Sequence, residues 1–117
     1  MEIAEQLRGD VVVLRFRGAF DYGTGGRHVE AVLKRLEQHG RVRILIDLLE
    51  VSHVDSTCLG LLIGGYLKFR RLGGGVVLLN TPRRIRRILS IAKLDRVLLT
   101  FATEEECIAA FPMWAEV

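Results

Sequence analysis

The sequence predicts an α/β fold, a mostly parallel β-sheet of about five strands with about four α-helices. Three observations carry that expectation. Short runs rich in β-branched and aliphatic residues, Val11–Arg17, Arg41–Leu48, Val76–Leu79 and Val97–Leu99, are separated by longer stretches of helical periodicity. Two of these runs, Ile44-Leu45-Ile46 and Val76-Val77-Leu78-Leu79, are continuously apolar, as strands covered on both faces must be. After an initial hairpin, strand and helix alternate, which requires right-handed crossovers between parallel strands.

Taken in order, residues near Ile3 form a first strand, and Arg8-Gly9-Asp10 turns the chain into Val11–Arg17, which Gly18 ends. Ala19-Phe20-Asp21-Tyr22-Gly23 reads as a loop. Thr24–His39 reads as a helix capped by Thr24, with Val29, Val32, Leu33 and Leu36 on one face, and Gly40 stops it. Arg41–Leu48 is the central strand. A second helix covers Thr57–Leu72. Its glycines, Gly60, Gly64 and Gly65, each cost about 1 kcal/mol relative to Ala, and the spacing suggests a helix packed tightly on the sheet. Gly73-Gly74-Gly75 turns the chain into Val76–Leu79. Asn80-Thr81-Pro82 starts a third helix with Thr81 as cap, Pro82 in its first position, and Ile85, Ile88 and Leu89 as its buried stripe. Val97–Leu99 is a short last strand. Thr103-Glu104-Glu105-Glu106 has the form of a capping box for a helix carrying Cys107, Ile108, Ala110 and Phe111. Residues 112–117 form a tail in which Trp114 folds back on the surface.

With 117 residues the expectation is one domain spanning 1–117, large enough to fold without disulfides or metal. Apolar residues at 50% and charged residues at 26% exclude a disordered chain. A formal net charge of +3 does not argue for nucleic acid. Cys58 and Cys107 lie in apolar surroundings without metal-ligand spacing, so they read as reduced core residues. The N-terminus lacks the apolar run of a signal peptide, and Leu59–Leu67 is shorter than the ~20 residues a membrane span needs. The expectation is a cytoplasmic protein without membrane insertion.

The stretch from Arg43 to Arg71 concentrates the chemistry. An apolar strand leads to Asp55-Ser56-Thr57, and an apolar helix follows at once. Hydroxyls at a helix start can be caps, and Asp55 can fill that role as well. They can also accept a phosphate, because free N–H groups at a helix N-terminus favour an anion. Cys58 reads as a small apolar filler. The alternative is a reactive thiol activated by the helix terminus. Ser52, His53 and Asp55 are neighbours along the chain, but a catalytic triad needs groups that converge in space. There is no nucleophile elbow or phosphate-binding loop, and His28, His39 and His53 lack metal spacing, so neither catalysis nor a cofactor is expected.

These residues resemble the STAS domain family of bacterial anti-sigma factor antagonists. The resemblance rests on Gly18-Ala19-Phe20-Asp21, on Ile46-Asp47-Leu48 followed by Val54-Asp55-Ser56-Thr57, and on Leu59-Gly60-Leu61-Leu62. Gly73-Gly74, Pro82 before an Arg/Ile run, and Leu94-Asp95 extend it over nearly the whole chain. It implies a protein that binds a kinase-type anti-sigma factor and releases the sigma factor. The kinase would phosphorylate Thr57, with Ser56 as second choice, and a phosphatase would reverse the mark. Asp21, Asp55, Ser56, Thr57, Cys58, Leu59 and Leu61 would meet the partner. Cys58 stands where the family has Gly. The alternative is a non-phosphorylated interaction subunit of the same fold, in a signalling assembly or a lipid-transport complex. The basic run Arg83-Arg84-Ile85-Arg86-Arg87 reads as a solvated helix face or a surface for an acidic partner. It lacks interleaved aromatics, so direct nucleic-acid binding is not expected.

Overall fold

A computed structural model of the chain describes residues 1–110. Five strands, β1 (Glu2–Arg8), β2 (Val11–Phe20), β3 (Arg43–Val54), β4 (Gly75–Leu79) and β5 (Thr100–Phe101), form one sheet in sequential order. β1 pairs antiparallel with β2, and every later pair is parallel. The helices are α1 (Arg27–Gln38), α2 (Ser56–Arg71), α3 (Arg83–Ile91) and α4 (Glu104–Ala109). The expected architecture is therefore present.

Side-chain alternation along the strands assigns each helix to a face. Val12, Ile44 and Val76 are register partners, and they share a core with Val29 and Leu33 of α1, Leu62 and Phe69 of α2, and Ile85 and Leu89 of α3. Val11, Val13, Leu45, Val77 and Leu79 face the other way and pack with Cys107 of α4. Three helices thus cover one face and α4 the other. Crossovers of one hand that always step in the same direction across a sheet must all lie on one side of it.

Several element bounds differ from the sequence reading, each for a local reason. β2 continues past Gly18 to Phe20, and β3 runs beyond Leu48 to Val54. Their pairing survives two register shifts, from Arg15↔Asp47 to Arg17↔Glu50 and from Gly18↔Val51 to Ala19↔His53. Each shift leaves one extra residue in β3, a bulge. Exposed polar residues there, Glu50, Ser52 and His53, hide the strand from an apolar pattern. The last strand is Thr100–Phe101 in place of Val97–Leu99, although the Leu78 N–H still donates to the Leu99 carbonyl at 2.9 Å. Thr24 does not cap α1. It sits in a π-helical turn, Tyr22–Gly26, that precedes the helix. At α3, Pro82 is the cap residue and no side chain caps the helix, so Thr81 does not act as the cap. Ile88 is 36% exposed and leaves the buried stripe to Ile85 and Leu89. The Thr103 hydroxyl caps α4, accepting from the Glu106 N–H at 3.1 Å. Phe111, Trp114 and the tail lie outside the described residues.

The glycines of α2 also change meaning. Gly60 and Gly64 are exposed, and a Cβ at either would meet nothing within 4 Å. They face solvent, so they do not bring the helix onto the sheet. Gly74 is the position where space is critical, because a Cβ there would lie 1.9 Å from the Val42 carbonyl oxygen. The two sites predict opposite outcomes in urea denaturation. Gly74→Ala should destabilise the fold by about 1–3 kcal/mol or prevent folding. Gly60→Ala should stabilise it by about 0.5–1 kcal/mol, since Ala is the better helix former at an open position.

Candidate functional site

The site is built where β2 and β3 end side by side and their helices begin. Phe20 and Val54 are the last register pair, and the Asp55 N–H donates to the Phe20 carbonyl at 3.2 Å. Asp55 has extended backbone angles and caps α2. One carboxylate oxygen accepts from the Cys58 N–H at 2.8 Å, and the other from the Tyr22 N–H at 3.2 Å. Asp21 does the matching work on the neighbouring turn. Its Oδ1 accepts from the Thr24 N–H at 2.9 Å and the Thr24 hydroxyl at 2.8 Å. Its carbonyl accepts from the Gly25 and Gly26 N–H groups. The two expected carboxylates are therefore at one end of the sheet, each holding a helix start.

Between them lies Cys58, fully buried. The π-helical turn passes directly over it, and a Cβ on Gly26 would lie 3.1 Å from the Cys58 sulfur and 2.7 Å from the Tyr22 ring. Only glycine allows that approach. Burial pushes the Cys58 thiol up to about 12, helped by Asp55 and Asp21, so it stays protonated and is not the activated thiol considered above. Asp55 is held below its ordinary value, chiefly by the Cys58 N–H and further by the Tyr22 N–H, against a smaller opposing effect of desolvation.

Ser56 and Thr57 occupy the first two positions of α2 and are exposed. Neither side chain hydrogen-bonds to another described residue. Capping is done by Asp55, which leaves both hydroxyls available. Of the other expected contact residues, Leu61 is partly exposed, whereas Cys58 and Leu59 are buried and support the surface from beneath. Sequence reasoning missed Tyr22, whose N–H joins the two turns and whose ring lies 5.6 Å from the Arg27 guanidinium carbon. It also missed Arg84, which donates to the Val54 carbonyl at 3.3 Å from α3. Neither contact has a local sequence signal. Among the described residues no cluster of His, Cys, Asp and Glu could hold a metal ion, and no helix is long and apolar enough to cross a membrane.

A mostly parallel sheet with two acid-pinned turns and a free hydroxyl pair at the start of α2 defines a small α/β domain. The STAS domain model matches residues 2–107, and the chain belongs to the STAS domain family. It is 27% identical over 99 residues to the Thermotoga neapolitana homologue of TM1081, a candidate anti-sigma factor antagonist, covering 85% of this chain and 88% of that protein. The crystal structure of TM1081 itself, from Thermotoga maritima, superposes with a TM-score of 0.85 at 22% identity, over 94% of each chain. The phosphorylated form of SpoIIAA, a Bacillus cell fate determinant, superposes with a TM-score of 0.75 at 24% identity, over 92% of this chain and 97% of that one.

Two outcomes follow from the site's chemistry. The Cys58 thiol of the folded protein should react with iodoacetamide at pH 8 more than about tenfold slower than a free thiol, and at the free rate in denaturant. Because folding lowers the Asp55 pKa, its contribution to stability is complete above the unfolded carboxylate range and is lost as pH falls through the lower folded value. Asp55→Asn keeps a capping group but does not titrate, so its urea midpoint should fall less steeply below about pH 4 than that of the parent protein.

Proposed function

We propose that this chain is a cytoplasmic anti-sigma factor antagonist that binds a kinase-type anti-sigma factor and is switched off by phosphorylation of Thr57. The observation that carries the reading is the division of labour at the start of α2. Asp55 supplies the cap, so the Thr57 hydroxyl is exposed and free of structural duty. The Bacillus SpoIIAA structures, which include a phosphorylated and an unphosphorylated form of that protein, support the same reading by their likeness of fold.

The partner would meet Asp21, Asp55, Ser56, Thr57 and Leu61. Gly60, Leu61, Gly64 and Lys68 continue from Thr57 along one side of α2, because residues three and four apart share a helix face. The bare glycine positions let a partner backbone come close, a use that offsets their propensity cost. A phosphate on Thr57 adds about −1.5 to −2 charges next to Asp55 and near Asp21. It would sit on that surface and turn it against an acidic or apolar partner without reshaping the fold. The kinase would use the exposed hydroxyl as acceptor, and a phosphatase would restore binding. The protein itself performs no catalysis in this scheme.

The test is incubation with the cognate kinase and ATP, followed by mass spectrometry of the peptide containing Ser56 and Thr57. Modification should fall on Thr57. Thr57→Ala should bind the kinase equally with and without ATP turnover, and Thr57→Glu should bind at least about tenfold more weakly, the effect of one misplaced interfacial charge. An unmodified peptide together with undiminished binding of Thr57→Glu would favour the non-phosphorylated interaction subunit.

A further inference from the structure

The basic helix α3 takes no part in that site beyond the Arg84 contact. Three neighbouring depressions lie beside it. The first, about 420 Å³, is lined by Asn80, Thr81, Arg86, Thr100 and Phe101. The second, about 570 Å³, is lined by Arg83, Arg86, Arg87 and Ser90. The third, about 430 Å³, is lined by Ser90, Lys93, Asp95 and Arg96. Arg86 lines the first two and Ser90 the last two, so the three are neighbours and together outline a shallow groove along the helix.

Its charge is one-sided. Among the described residues five cations, Arg83, Arg86, Arg87, Lys93 and Arg96, line it against one carboxylate, Asp95. None of the five forms an ion pair with a described residue, whereas Arg8, Arg15, Arg17, Arg35 and Lys68 elsewhere all do.

We propose that this groove binds an acidic segment of a partner protein. Arg83 and Arg87 are one turn apart, roughly 6 Å along the axis. That distance suits carboxylates on alternate residues of an extended chain, spaced at roughly 7 Å. A single nucleic-acid strand fits less well. Stacking needs a series of aromatic faces, and among the described residues Phe101, at one end, is the one ring lining the groove.

The test uses the whole chain at low salt and a fluorescein-labelled peptide of alternating Glu and Ser, read by fluorescence anisotropy. The double variant R86E/R87E should lose at least about tenfold in affinity, as expected when two interfacial charges turn repulsive. The variant K34E/R41E, with the same change of net charge at exposed sites on and after α1, should stay within about twofold, because distant surface charges are screened. A single-stranded deoxyoligonucleotide of equal charge should bind the parent protein more weakly. Equal losses in both double variants, or equal or tighter binding of the oligonucleotide, would overturn the proposal. Thr57→Ala should bind the Glu/Ser peptide like the parent protein, which separates this surface from the phosphorylation reading.

Discussion

The Asp55 carboxylate is the joint on which the functional end of the molecule depends. One oxygen holds the first turn of α2 through the Cys58 N–H, and the other holds the turn after β2 through the Tyr22 N–H. Two crossover connections are thereby fixed to each other at the point where β2 and β3 end. The same pair of bonds keeps the carboxylate ionised, so the joint also gives the surface its negative charge. Gly26 and Cys58 complete it from below. The turn can descend onto the sulfur only because Gly26 has no side chain, and the sulfur fills the space only because it stays neutral. Cys58 in place of the family's Gly is thus accommodated inside the fold and leaves the exposed hydroxyls unobstructed.

The opposite face of the sheet is held by a second charged cluster. Asp47 is 8% exposed at the middle of β3 and is fully employed. It accepts from Arg15 at 3.1 Å, from the Asn80 side chain at 3.1 Å, and from the Leu49 N–H at 3.0 Å, inside the first bulge. Arg15 also reaches Glu104 at 2.8 Å, which Arg8 contacts as well, so the start of α4 is tied to β1, β2 and β3. Burial alone would raise the Glu104 pKa, but the two arginines outweigh it and hold the carboxyl below its ordinary value. Removing one member of such a cluster leaves a partly buried charge without its partner, a larger loss than the pair's own net contribution. The cluster gives α4 a fixed position over a face that otherwise offers it only a small apolar patch.

Two surfaces of opposite character result. The end of the sheet is acidic and carries Thr57, whereas the outer side of α3 is basic. Arg84 stands between them, with its guanidinium on the last carbonyl of β3. Charge is thus partitioned by element: carboxylates at the loops that cap α2 and the π-helical turn, arginines on the helix that follows β4. A protein with mild net charge can present two strong and separate local fields in this way.

The sequence by itself determined the strand and helix order, the mostly parallel sheet and the apolar helix faces. Periodicity and strand-helix alternation are local signals, and they survive in the residues that build them. It also located the Asp55-Ser56-Thr57 loop and named Asp55 as one of the possible caps. Tertiary structure alone decided which group caps α2, because that choice depends on Tyr22 arriving from another element to take the second oxygen. It placed Gly60 and Gly64 in solvent, since helical spacing identifies a shared face without saying what that face meets. The bulged end of β3 was invisible for a similar reason. Its polar residues pair by backbone bonds with β2, and backbone pairing leaves no mark on side-chain pattern. Thr57 was legible as a hydroxyl at a helix start. Its freedom from any structural bond within the described chain became visible only once Asp55 was seen to hold the helix in its place.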